Sequence, residues 1–221
     1  MDDRNLFILT VYIICVTYVL YRVFKSVDRN QVIIHLDRES LNGQLEAQNL
    51  KERVDIQFKL EKRYQLDRLR ELSIQIDNKS PEHSIDVDWD RSSLTDFDAR
   101  SRRVIRLTPS MILDLSQRQV YSFIGAGNIL KEKITVEDVL QRDTQTDVLK
   151  ISAPLFDPSK LKKLSSPEST LQFSLMLVLH LLRSTGETGN SVTHILSCDF
   201  TVKKAPWTDV MSWTPRTKIK N

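Results

Sequence analysis

Three sets of side chains have types and spacings on which chemistry could be built. His180, His194 and Cys198 lie in one stretch, TLQFSLMLVLHLLRSTGETGNSVTHILSCDFTVK, residues 170 to 203. Converging, they would make a metal site or a Cys–His nucleophile pair, both of which need imidazole and thiolate within bonding reach. Asp86, Asp88 and Asp90 repeat the D-x-D-x-D opening of a calcium loop. Gly125-Ala126-Gly127-Asn128 carries a G-x-G of the kind that cradles phosphates.

Two of these fail on their own spacing. The calcium loop needs a glycine where Arg91 stands and a bidentate glutamate where Phe97 stands. Asp86, Asp88 and Asp90 are therefore read as the outward face of a strand whose other face carries Ile85, Val87 and Trp89. The third glycine of a dinucleotide fingerprint would fall at Leu130, so Gly125 is read as a helix cap.

The histidine pair turns on strand register. Leu171, Phe173, Leu175, Leu177, Leu179 and Leu181 alternate strictly, as do Val192, His194, Leu196, Cys198, Phe200 and Val202 across a glycine-containing loop. Two period-two arms around such a loop predict a β-hairpin. Pairing Leu181 with Val192 sets Leu177 opposite Leu196, Leu175 opposite Cys198, Phe173 opposite Phe200 and Leu171 opposite Val202, giving one apolar face. The other face holds His180 with Thr193, Val178 with Ile195 and Ser174 with Asp199. His180 and His194 then point to opposite faces, and His194 lies buried beside Cys198. With no H-x-x-x-H, C-x-x-C, phosphate loop or G-x-S-x-G in the chain, no catalytic, metal-ligating or cofactor-binding residue is assigned, no cofactor is expected, and the chain is not read as an enzyme. A pocket lined by His180 and Asp199 would be the first sign against that reading.

The elements that hold these residues begin with LFILTVYIICVTYVLYRVF, residues 6–24, which carries no charge before Arg22 and is close to the roughly 20 residues needed to cross a bilayer. It lacks the positive start and small-x-small site of a cleaved signal peptide and is read as a single-pass anchor after a short tail, residues 1–5. Arg22, Lys25, Arg29 and Arg38 follow it, against Arg4 with Asp2 and Asp3 before it. That bias places the C-terminal part in the cytoplasm.

No proline precedes Pro81. Leu41, Leu45, Leu50, Val54 and Phe58, then Leu66, Leu69 and Leu72, recur at helical spacing among strong helix formers. VDIQFKL and LSIQID alternate with period two as well, but a helical stalk over residues 25–76 is the reading adopted, a surface through which the chain could homo-oligomerise.

Residues 77–103, rich in Ser and Asp, are read as a linker holding one short strand. It contains a glycosylation sequon, Asn78-Lys79-Ser80, and a basic cleavage pattern, Arg100-Ser101-Arg102-Arg103. Residues 104–221 are read as an α+β domain on an antiparallel sheet. Thr108-Pro109 opens a helix that Gly125 closes, Thr135 with Asp138 caps a short second helix, and a strand starts at Asp147. Trp207 and Trp213 are expected to fold over the sheet.

The net charge of +3 with interspersed acids excludes a nucleic-acid binder. The expectation is a membrane-anchored, non-catalytic α+β domain for protein recruitment or complex assembly, with the lipid bilayer and other proteins as partners. The alternative is a structural subunit of a membrane-spanning secretion machine or virus envelope, with the domain outside.

Overall fold

The computed structural model describes residues 3–27, 31–108, 115, 117–146, 148–164, 169–183 and 191–205. Its elements run α1 (Asp3–Val27), β1 (Gln31–Leu36), α2 (Arg38–Ala47), β2 (Val54–Phe58), β3 (Tyr64–Gln65), β4 (Leu72–Asn78), β5 (His83–Thr95), β6 (Ser101–Leu107), β7 (Ser122–Ile124), β8 (Ile129–Val136), β9 (Leu140–Arg142), β10 (Leu149–Ile151), β11 (Thr170–Arg183) and β12 (Val192–Lys204), with three short 3-10 turns.

Ten strands form one antiparallel sheet in the order β2-β4-β8-β6-β5-β11-β12-β1-β3, with β7 added against β5. β2 and β3 lie at opposite ends of that order, yet only residues 59–63 separate them in the chain, so the sheet must curl to bring its edges together. The ring of Phe58 on β2 meets Phe200 on β12 edge to face at 4.9 Å, and the result is a half-barrel. A bulge in β5 sharpens the curl. Asp88 pairs with Val178 and Ser93 with Met176, leaving residues 89–92 opposite the single residue 177. Inside the bulge the Ser92 hydroxyl donates to the Asp88 carbonyl at 2.6 Å and accepts from the Val178 amide at 3.1 Å.

The concave face holds the core, including Ile74, Ile76, Val87, Trp89, Leu175, Leu177, Leu179, Leu196 and Cys198. At the end where β1 begins, Leu155, Phe156 and Leu164 plug the opening. The Leu155 amide donates to the Leu69 carbonyl at 2.7 Å, and Phe156 packs on Phe97 and Phe173, each at 4.6 Å. On the convex face the β9–β10 ribbon covers Ile105 with Leu140 and Leu149.

α2 does a strand's work. β1 pairs with β12 only from Phe200 to Lys204, which would leave the upper edge of β12 bare, an invitation to pairing with another chain. Asp37 caps α2 by accepting from the Ser40 amide and donates its own amide to the Asp199 carbonyl at 2.8 Å. Two turns on, Gln44 donates from Nε2 to the Ser197 carbonyl at 2.9 Å and accepts from the Ser197 amide at 2.8 Å. A turn later Gln48 donates to the Ile195 carbonyl at 2.9 Å. The primary amides mimic a partner strand's peptide groups, while Leu41 and Leu45 face the core.

The α+β architecture with a helical stalk is corrected. With twelve strands and two α-helices, the protein is mostly β, and no helical stalk is evident among the described residues. Within residues 31–76 only Arg38–Ala47 is an α-helix; β2 and β4 follow the period-two pattern, burying Val54, Ile56 and Phe58, and Leu72, Ile74, Ile76 and Asn78. Their pairing with each other and of β4 with β8 outweighs the helix propensity of the intervening Glu, Lys and Arg residues. Residues 77–103, expected to be a linker, supply the end of β4, all of β5 at the middle of the sheet and the start of β6.

The helix expected to reach Ile124 is absent from residues 117–124, which contain β7; its start at residues 109–114 lies outside the described residues. The short helix after Thr135 is a single 3-10 turn, Glu137–Val139, between β8 and β9. The expected strand from Asp147 is Leu149–Ile151. Trp207 and Trp213 lie outside the described residues.

The hairpin register, by contrast, is the one the alternation predicts. Leu181 pairs with Val192, Leu177 with Leu196, Leu175 with Cys198, Phe173 with Phe200 and Leu171 with Val202.

Candidate functional surface

The register carries His180 and His194 to opposite faces, and each has its own partner. His194 Nδ1 lies 3.0 Å from Gln48 Oε1 beside α2, half-buried, and burial followed by the nearby Arg53 charge lowers its pKa from the ordinary imidazole value. Cys198, in the core four residues on, has its thiol pushed up to about 12, chiefly by burial. A thiol with that pKa is no nucleophile at neutral pH. Cys15, exposed on α1, is far from it in sequence and context. No group of three or more His, Cys, Asp or Glu among the described residues is placed to hold a metal ion.

His180 belongs to the convex face. A row of cross-strand neighbours runs Phe123 on β7, Asp86 on β5, His180 on β11 and Thr193 on β12. The His180 ring reaches Thr193 Oγ1 at 3.0 Å through Nδ1 and Asp88 Oδ2 at 3.5 Å through Nε2, and Tyr121 tilts against it at 5.7 Å. Asp199 is not part of this group: it accepts from Ser40 and Ser197 near the start of α2. His180 and Asp199 therefore do not share partners.

Asp86, Asp88 and Asp90 share β5 but not a ligand. Asp88 is buried against the bulge, where its Oδ1 accepts from the Arg91 amide, rather than facing water as the strand reading expects. Asp86 has its pKa raised by burial, with His180 opposing. Asp90 has its pKa lowered: burial works against this, but the Arg103 guanidinium, 2.6 Å away, and the Gln119 amide, 2.9 Å away, hold it ionised.

Arg103 and Gln119 make this end of the convex face rigid. Arg103 donates to the Leu115 and Gln117 carbonyls at 2.7 and 3.0 Å. Gln119 donates to the Val104 carbonyl at 2.8 Å and accepts from the Arg106 amide at 2.9 Å. The segment so fixed carries Val120, Tyr121 and Phe123, exposed by 76%, 48% and 67%. Tyr121 lies next to β5 beside Asp88, whose partner Val178 pairs with Ile195, 53% exposed. Exposed apolar side chains therefore stand on a convex sheet face on either side of Asp86 and His180. Sequence reasoning missed them because Val120 and Tyr121 were assigned to a helix and the Phe123–Asp86 pairing is long-range.

The two processing signals are built into the fold. Asn78 is fully buried, and its Nδ2, the atom that would carry a glycan, donates to the carbonyls of His83, Ile124 and Gly125 at 2.8 to 3.2 Å; its Oδ1 accepts from the Ser80 amide. Arg102 and Arg103 lie within β6, which pairs with β5 on one side and β8 on the other. Arg102 grips Asp138 and the Leu155 carbonyl, leaving no free extended segment for a protease. Gly125 to Asn128 form the turn between β7 and β8, closed by the Asn128 amide on the Gly125 carbonyl, with Gly127 at φ +70°; this is neither a helix cap nor a phosphate loop.

Comparison of the chain with protein-family models, curated proteins and solved structures gives no match.

Proposed function

We propose that this is a single-pass membrane-anchored protein whose β domain recruits or assembles other proteins at the membrane without catalysis of its own. The observation that carries this reading is α1. Every side chain from Arg4 to Arg22 is exposed, none buried against the domain, and the stretch is apolar and long enough to span a bilayer. The Lys and Arg bias after the helix favours a cytoplasmic domain. The patch of Val120, Tyr121, Phe123 and Ile195 supplies a contact surface of aromatic and aliphatic side chains, the composition from which protein interfaces draw their anchors.

The test is alkaline carbonate extraction of the full chain, followed by photo-crosslinking in cells from position 123 and from position 131 as a control. The reading expects retention in the membrane and discrete adducts at position 123 that Tyr121→Ser with Ile195→Ser abolishes. Release by carbonate, or equal adducts at both positions, would refute it. Protease protection of the domain in sealed vesicles checks the sidedness.

A further inference from the structure

The end of the half-barrel where β1 begins is lopsided in charge. Only residues 28–30 separate α1 from β1, so Gln31 lies within about 14 Å of the helix end even if that link is fully extended. Val32 is flanked by Lys204 on β12 and Tyr64 on β3, and Arg63 donates to the Gln31 side chain at 3.4 Å. The crossing from β2 to β4 passes over this same end and lines a cleft of about 730 Å³ with Lys59, Arg63, Arg68 and Arg70. With Lys62, Lys203 and Lys204 the rim carries seven cations against Glu61, Asp67 and Glu71, the last of these paired with Lys133.

Pairing sharpens the contrast. Elsewhere on this end the charges neutralise one another: Asp138 with Arg100 and Arg102, Asp98 with Lys160, and Asp143 with Lys150. Among the described residues no carboxylate pairs with Lys59, Lys62, Arg63, Arg68, Arg70, Lys203 or Lys204, and all but Arg63 and Lys204, which are half-buried, are exposed.

From this we infer that the β1–β3 rim, Lys59 to Arg70 with Lys203 and Lys204, docks on the anionic headgroups of the leaflet from which α1 emerges, seating the domain on the bilayer in one orientation. The inference rests on the reading of α1 as a membrane span. Basic side chains held near an anionic surface contribute about 1 kcal/mol each and lose it beyond a Debye length. Tethering by α1 supplies the proximity, and the rim supplies the orientation.

The test uses the full chain in vesicles of neutral phosphatidylcholine, with and without phosphatidylserine. An environment-sensitive fluorophore is placed on Gln65→Cys at the rim and, separately, on Glu82→Cys at the opposite end. Expected is a shift to an apolar, quencher-shielded signal at position 65 when phosphatidylserine is present, reversed by high salt, with no change at position 82. Lys62→Gln with Arg68→Gln should lower the docked-to-undocked ratio about 30-fold, the equivalent of about 2 kcal/mol for two cations. Equal signals in both vesicle types overturn the docking, as does a response at position 65 only when a soluble polyanion is added to neutral vesicles. Release of the chain from either vesicle by alkaline carbonate overturns the anchor reading itself, a distinct failure.

Discussion

Replacing Asn78 gives the sharpest check on how this sheet is held together. Its amide joins the end of β4 to the β7–β8 turn and to the start of β5, through three carbonyls and the Ser80 amide. Asn78→Ala strands these groups in a site closed to water. A buried group left without a partner costs about 1–3 kcal/mol; with some relaxation, a total of about 3 kcal/mol is expected. For a chain of this size that is a fall in thermal midpoint of roughly 6–12 °C.

Asn78→Asp is more informative because its cost depends on pH. The carboxylate keeps the acceptor for Ser80 but faces three carbonyl oxygens in a buried site, so its folded pKa must lie above the unfolded value of about 3.9. The unfolded chain therefore loses its proton first. Below about pH 4 both states are protonated and the penalty is smallest; above it, stability relative to wild type falls by up to about 1.4 kcal/mol per pH unit until the folded pKa is reached. Thermal unfolding of the full chain in a mild detergent, followed by circular dichroism from pH 3.5 to 7.5, measures both variants. A cost below about 0.5 kcal/mol for Asn78→Ala, the range of an ordinary surface change, or a pH-independent difference for Asn78→Asp, would refute the assignment of Asn78 as a buried junction.

Gln44→Ala removes both bonds to Ser197 and should cost about 1–2 kcal/mol, with faster hydrogen exchange at the Ser197 amide and concentration-dependent association through β12; Gln44→Glu, which retains the acceptor only, should fall between. Because burial lowers the pKa of His194, the unfolded chain takes up that proton first, so its contribution to stability is intact above about pH 6.5 and declines as pH falls through that value; His194→Gln should flatten the unfolding midpoint between pH 5 and 7. In vesicles of the native protein, neither thiol should react with a membrane-impermeant maleimide, Cys198 because it lies in the core and Cys15 because the proposed span places it in the bilayer; both should label in denaturing detergent, and labelling of native Cys198 would contradict its burial.

What the sequence revealed and what it hid follow one physical division. The β11–β12 register was legible because a single connection joins the arms, and their alternation admits one pairing that hides every leucine of one face. The β2 and β4 strands were not, although VDIQF and LSIQID alternate as clearly. β4 completes its pairing on β8, with Ile74 opposite Glu132, far along the chain, and nothing local announces it. The acidic residues of β5 were placed on a strand correctly, but the burial of Asp88 arises at the bulge and beside His180 of β11 and leaves no local periodic signature. The convex patch was hidden for the same reason, since Phe123, Asp86, His180 and Thr193 meet across four strands.

The short passage from α1 into β1 has a mechanical consequence. With α1 in the membrane, as proposed, a pull on it reaches the domain at Gln31, at the end of a strand held between β12 and β3, and its component along that strand's axis bears on β1. The ladder from Val32 to Leu36 is then loaded in shear, so its hydrogen bonds must yield together, whereas a strand peeled from the side gives them up one at a time. The partner strand comes from the opposite end of the described chain, so tension on the helix meets the sheet as a whole instead of unravelling a local hairpin.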